Sequence, residues 1–287
     1  MPPSLQPVVT KRLIVAADDF GITEGVNRAI IHAHKEGIVT SASLMVNGPA
    51  VDSAIALARQ NPTLDIGLHL NLTNKPFAFA LSAKRKDLEA SIRSQIELAV
   101  GTGLNISHID GHKHVHVIPA VLSILRRVAP EYGIRALRTM NARTPNLWSL
   151  LRHNPKSRAT VLKQYVFACG ARITWKFSSK QPAAGPRHFY GITETGLLDL
   201  TAFRAIILDL SPGIHEVMCH PGYVDAELRK TPTRLLEQRE REVELLTDRD
   251  IRHLIEDTGI QLVSYRDLVE TYGNHRTDSL LHRYSAL

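Results

Sequence analysis

The sequence predicts an α/β fold, a distorted TIM-like (β/α) barrel forming one domain over residues 1–287 with a basic helical insertion at about 143–187. Three observations lead there. Short runs rich in Val, Ile and Leu alternate with segments of helical period, the pattern of βαβ units and a parallel sheet. Five of the apolar runs end in reactive side chains: Asp18-Asp19, His69, Asp110 with His112, Arg138, and His220. The ends of five separate strands converge at the mouth of a barrel, whereas an open doubly wound sheet gathers its site at one switch point. Finally, 44% hydrophobic and 22% charged residues suit a soluble chain with a buried core.

Taken in order, residues 12–16 (RLIVA) read as the first strand. Thr23 is placed to cap a helix whose apolar stripe is Val26, Ile30 and Ala33, with Gly37 as its stop. Residues 39–46 form a second strand and 51–59 a helix. In the third strand, 65–72, Ile66, Leu68, Leu70 and Leu72 share one face and Gly67, His69 and Asn71 the other. Residues 87–100 read as helix, 105–110 as strand, 119–128 as helix and 134–138 as strand. Further strands fall at 215–219 and 261–264, and charged helices at 234–246 and 248–257. There is no GxGxxG, P-loop, internal repeat or low-complexity tract.

Charge is unevenly spread. Between Tyr132 and Thr193 there is no Asp or Glu, but there are eleven basic residues: Arg135, Arg138, Arg143, Arg152, Lys156, Arg158, Lys163, Arg172, Lys176, Lys180 and Arg187. The net charge is +7, so the chain without those eleven carries −4. Residues 158–176 read as a basic helix with an apolar stripe at Leu162, Tyr165, Val166, Cys169 and Ile173. Trp148, Phe167, Trp175 and Phe177 add rings nearby. Such a helix either lies in an anionic membrane interface or covers the barrel as an ordinary solvated helix. The two cysteines, Cys169 and Cys219, lie 50 positions apart and suggest no disulfide framework. With no signal-peptide run at the start and no spanning stretch, a cytoplasmic location is expected.

Four segments carry chemistry. In Ala17-Asp18-Asp19-Phe20-Gly21, adjacent acids after an apolar strand repel one another; a cation relieves that, though an Asx turn is the plain alternative. His69, on the polar face of its strand, is either a satisfied core histidine or a ligand. The strongest signal is SHIDGHKHVH, where His108, His112, His114 and His116 fall within nine residues directly after a strand. Packing explains such clustering poorly, because each buried ring needs partners for both nitrogens; metal ligands and the groups orienting them explain it well. The last is Met218-Cys219-His220-Pro221-Gly222. Strand neighbours face opposite ways, so Cys219 is inert core and His220 a candidate acid or base.

Together these residues resemble the YdjC-like (ChbG-type) carbohydrate deacetylases. The matching segments are VAADDFG at 15–21, GIVTSASLMVNG at 37–48, IGLHL at 66–70, SHIDGHKHVHVIP at 107–119, HFYGITE at 188–194, EVMCHPGYVD at 216–225 and SYRDL at 264–268. Within the family the chain looks most like the hopanoid-biosynthesis-associated branch, which implies an N-acetylglucosamine substrate carried on a lipid. The resemblance also implies a distorted barrel. It places a divalent ion on Asp19, His69 and His112, the general base at Asp18 and the general acid at His220. Asp110, Arg138, His114, His116, Asn47 and Tyr223 are then expected to bind substrate or orient other groups. The basic stretch lacks a clear counterpart in members acting on soluble chitooligosaccharides, so their substrate is not assumed.

The expected reaction is hydrolysis of the acetamide by water. Asp18 takes a proton and His220, as imidazolium, protonates the departing amine. Two imidazoles and a carboxylate suit Zn2+; Mg2+, associated with some family members, prefers oxygen donors. The expected partners are the amino-sugar substrate and the inner face of the cytoplasmic membrane as a peripheral contact; a homodimer is left open. A metal-dependent phosphoesterase or amidohydrolase is the competing enzyme class, although amidohydrolase barrels open with an HxH pair on their first strand. Nucleic acid is not an expected partner, since the basic residues are scattered and no RNA-binding signature accompanies them.

Overall fold

The computed structural model describes residues 10–72, 83–144, 147–153, 158–178 and 184–272. Of the basic residues named above, Lys156 and Lys180 lie outside them. The strands are β1 (Lys11–Phe20), β2 (Ser41–Leu44), β3 (Asp65–Leu70), β4 (Ile106–Gly111), β5 (Ala136–Leu137), β6 (His188–Tyr190), β7 (Gly213–Cys219) and β8 (Gln261–Leu262). Around them run α1 (Glu24–Lys35), α2 (Val51–Gln60), α3 (Arg85–Gly101), α4 (Pro119–Val128), α5 (Leu147–His153) and α6 (Arg158–Ser178). α7 (Leu200–Asp209), α8 (Ala226–Lys230), α9 (Glu237–Thr247) and α10 (Arg249–Asp257) follow. Short 3-10 turns occupy His112–Val117 and Ala129–Tyr132.

All strand pairs are parallel, in the order β5-β4-β3-β2-β1-β7-β6, with β8 also against β1. The sheet curves into a half-barrel surrounded by helices. Its edges are stitched by isolated bridges, Ala136 to Ala184 and Ala142 to Phe189. The Arg143 N–H donates to the Phe189 carbonyl at 2.9 Å across the second of these. This is the distorted barrel the alternation of elements predicts. Parallel strands are covered on both faces, and β2, β3 and β4 are accordingly buried at every position.

Local chemistry explains the element limits. Thr23 caps α1, its side chain accepting from the Val26 N–H at 3.2 Å. Pro119 opens α4, where a missing N–H costs nothing. β1 continues four residues past the expected stop at Ala16 and carries Asp18-Asp19 inside the sheet. In α6 the buried positions include Val161, Gln164, Ala168 and Ala171, whereas Leu162, Val166 and Ile173 of the sequence stripe face outward. The helix therefore has two apolar faces, of which only one covers the barrel.

Candidate metal centre

β1 is irregular where its acids lie. Ala17 pairs with Ala42 and Phe20 with Leu44, so three steps along β1 oppose two along β2, a bulge at Asp18-Asp19. Asp19 has φ 71°, in the left-handed region that costs a non-glycine residue of order 1–3 kcal/mol. In a regular strand adjacent side chains diverge. Here both carboxylates reach donor atoms of His69.

Asp19 joins β1 to the ends of β3 and β4. Its Oδ1 lies 2.9 Å from His112 Nδ1 and 3.4 Å from His69 Nε2. Its Oδ2 accepts from Arg239 Nη2 at 2.5 Å. His69 Nδ1 donates to Asp110 Oδ1 at 2.7 Å, which fixes the ring so that Nε2 faces Asp19. His112 begins the turn after β4, and 23% of its side chain is exposed, against 2% for His69.

Asp18 is held differently. Arg138, wholly buried, donates to both its oxygens at 2.8 and 2.7 Å and to Glu216 Oε1 at 2.8 Å. Arg138 Nη1 also lies 2.6 Å from Asp110 Oδ2. The far oxygen of Glu216 accepts from Tyr265 OH at 2.6 Å. Burial pushes the Asp18 carboxyl up and takes Glu216 to about 7 despite Arg138. At Asp19 burial also pushes up, but Arg239 and His112 outweigh it and hold the group well below the usual range. Burial lowers His69, yet Asp110 and Asp18 overcome that and bring it to about 10.

Asp19, His69 and His112 offer three donor atoms within 4.8 Å of one another. Bonds of about 2 Å to a tetrahedral ion place donors roughly 3.3 Å apart, close to the 3.4 and 2.9 Å found from Asp19. Four buried carboxyl groups, Asp18, Asp19, Asp110 and Glu216, face two buried guanidinium groups, Arg138 and Arg239. That imbalance favours a positive charge among them, and the upward shift of His69 has the same origin. A second trio, Asp18, His69 and Asp110, is as compact, but Arg138 already occupies its two acids. The first trio fits a divalent ion.

Residues 12–257 match the YdjC-like protein family. The chain belongs to the YdjC-like family. Its relatives include a protein from Brevibacillus brevis named carbohydrate deacetylase, 33% identical over 277 residues covering 90% of this chain and 99% of the relative. Carbohydrate deacetylases of Vibrio parahaemolyticus and Geobacillus stearothermophilus are each 31% identical, over 91% and 88% of this chain and 97% and 96% of theirs. A crystal structure from Enterococcus faecalis V583, of a protein named for cellobiose-phosphate cleavage, superposes with TM-score 0.72. At 24% identity it covers 90% of this chain and 99% of its own, and shows the shared fold.

In this YdjC-like chain the other expected residues separate into groups. Asp110 and Arg138 orient the donors, as described. His220 follows β7, its backbone N–H donating to Glu242 Oε2 at 2.5 Å. Burial pushes its ring down to about 3. His114 stacks on Phe167 with centroids 5.6 Å apart, and among the described residues neither ring nitrogen of His116 has a hydrogen-bond partner. Burial pushes His114 well below the ordinary imidazole range and takes His116 to about 3. Among the described contacts neither bonds to Asp19, His69 or His112. Asn47 and Asn71 bond to each other across the ends of β2 and β3. Tyr223 OH bonds His32 Nδ1 at 2.5 Å on α1. The Cys219 thiol is buried and donates to the Ala16 carbonyl at 3.4 Å, inert as expected.

Sequence reasoning missed the supporting groups. Arg239 and Glu242 lie three apart on α9, a helix charged enough to read as solvated, yet both are buried. Gly222 makes room for Arg239: a Cβ there would lie 2.9 Å from Arg239 Cδ. His108 lies flat on Tyr265 at 3.7 Å, and a Cβ on Gly67 would fall 2.3 Å from its ring. Glu216, a charge inside an apolar strand, was the one visible hint.

Proposed function

We propose that this chain is a metal-dependent carbohydrate deacetylase that hydrolyses the N-acetyl group of an N-acetylglucosamine unit carried on a hopanoid lipid. It would work peripherally at the inner face of the cytoplasmic membrane. The observation that carries the reading is the meeting of Asp19, His69 and His112 within 4.8 Å, beside a carboxylate, Asp18, that Arg138 grips at both oxygens. Relatives named carbohydrate deacetylases support the substrate class.

Asp19, His69 and His112 would hold the ion, and the two imidazoles favour Zn2+ over Mg2+. When bound, a divalent ion polarises an acetyl carbonyl and makes water a better nucleophile. Asp18 takes the proton of the attacking water, a contribution of about 10²–10⁴ for a positioned base. Its two bonds from Arg138 hold it still, and burial makes it more basic than an exposed carboxylate. His220 gives a proton to the leaving amine, so that the proton lost by the attacking water is balanced by the one the product gains. Asp110, accepting from Nδ1, keeps Nε2 of His69 turned towards Asp19.

The test compares acetate release from an N-acetylglucosaminyl lipid and from N-acetyl chitooligosaccharides, with added Zn2+ or Mg2+, for the parent and His112→Ala. The parent should release acetate from the lipid faster, and the variant should lose at least about 10²-fold. Full activity in the variant removes His112 from the mechanism, and faster release from the oligosaccharides removes the lipid-linked substrate.

A further inference from the structure

α6 is 21 residues long and packs on the barrel through one face only. On the opposite face Leu162, Val166, Ile173 and Phe177 are 49%, 63%, 57% and 79% exposed. Their spacings of four, seven and four residues align them in one stripe along the whole helix. A soluble monomer gains nothing from a continuous apolar stripe in water. Exposed Lys163 and Arg172 flank it on either side, within a stretch from Tyr132 to Thr193 that contains no acidic residue.

We propose that this outward face of α6 docks the protein on an anionic lipid bilayer. An apolar stripe rimmed by cations matches a surface that offers acyl chains below and negative headgroups above. A second copy matches poorly, since a two-fold contact of the same face would bring cations against cations. No helix among the described residues is long and apolar enough to cross a membrane, so α6 lies along the interface. The helix also touches the turn after β4: Phe167 stacks on His114, two residues beyond His112. A docked helix would thus hold the turn bearing His112 close to the lipid surface. The docking does not depend on which bond is hydrolysed, and it supplies the lipid-linked reading with its anchoring face.

Vesicle flotation tests it, with phosphatidylcholine alone and with added phosphatidylglycerol. The parent should float with the anionic vesicles and release as salt shortens the screening length from about 10 Å at 0.1 M to about 3 Å at 1 M. Val166→Glu with Ile173→Glu, and separately Lys163→Glu with Arg172→Glu, should each reduce binding by about tenfold or more. Both doubles should keep the parent's rate on a soluble chitooligosaccharide, a readout that reports the catalytic reading alone. A parent that stays in solution, or an apolar double that floats as well as the parent, overturns the proposal. So does a parent that light scattering shows as a dimer and the apolar double as a monomer, which would assign the stripe to a second copy.

Discussion

Asp65 opens β3, at the end of the strand away from His69, and it is fully buried. It accepts from Ser107 Oγ at 2.8 Å and from the Arg266 N–H at 3.1 Å. Burial nevertheless pushes its carboxyl up to about 6. The folded state therefore holds this proton more tightly than the unfolded chain does. The resulting stability is complete below the ordinary carboxylate pKa and is lost as pH rises through about 6. Asp65→Asn keeps an oxygen for both donors and removes the charge. Its stability relative to the parent should rise across pH 4 to 7, reaching an advantage on the order of 1–3 kcal/mol. Parallel denaturation midpoints for the two proteins over that range would refute this assignment. The same contrast governs the site. Asp18, Asp19 and His112 stand out in sequence because few packing roles suit adjacent acids or clustered imidazoles, whereas His69, alone on its strand, is singled out only by the family resemblance. Arg239 and Glu242 do not stand out, because burial in α9 is decided by where the helix docks.

Elements are legible where an apolar period runs for two turns or more. α1, α2, α3 and α4 all fall within two residues of expectation; α1 also has the Thr23 cap and α4 has Pro119 at its start, whereas α2 and α3 begin without a side-chain cap. α7 carried the same signals, with Asp199 accepting from the Ala202 N–H at 2.8 Å ahead of Phe203, Ile206 and Ile207, and was overlooked. β6 offered only three residues, too few for a period to show. The dependence on caps is measurable at α10, a short helix joined to α9 through Asp248. That side chain accepts from the Asp250 N–H at 2.7 Å and the Ile251 N–H at 3.4 Å. Asp248→Ala leaves those groups to water and should cost about 1 kcal/mol, lowering Tm by about 2 °C in a chain of this size. An unchanged Tm would mean that packing of Ile251 and Ile255 alone sets this helix.

At the scale of the whole molecule, the groups that position the site also tie the barrel together. Arg138 follows β5 and binds Asp18 on β1, Asp110 on β4 and Glu216 on β7, while Tyr265, beyond β8, completes the set through Glu216. Its guanidinium also lies over the Phe189 ring of β6 at 5.2 Å. One cation thus serves strands that are distant in the chain. Sequence could mark Arg138 as a strand-end residue, but its partners depend on closure of the sheet. Arg138→Met, studied with a chelator present, would strand three carboxyl groups in the interior, a loss of about 3–5 kcal/mol. Burial already raises Glu216 to about 7 and pushes Asp18 up against the pull of Arg138, so without the arginine these two should move further up, while Asp110 loses one of the two cations, Arg138 and His69, that hold it down. Their contribution is then present at low pH and lost as pH rises through the raised values. The variant should therefore be less stable than the parent at pH 8 and recover much of the difference at pH 5. A deficit in urea unfolding that stays the same at both pH values would show that Arg138 supports the barrel by packing, without a role in balancing its buried acids.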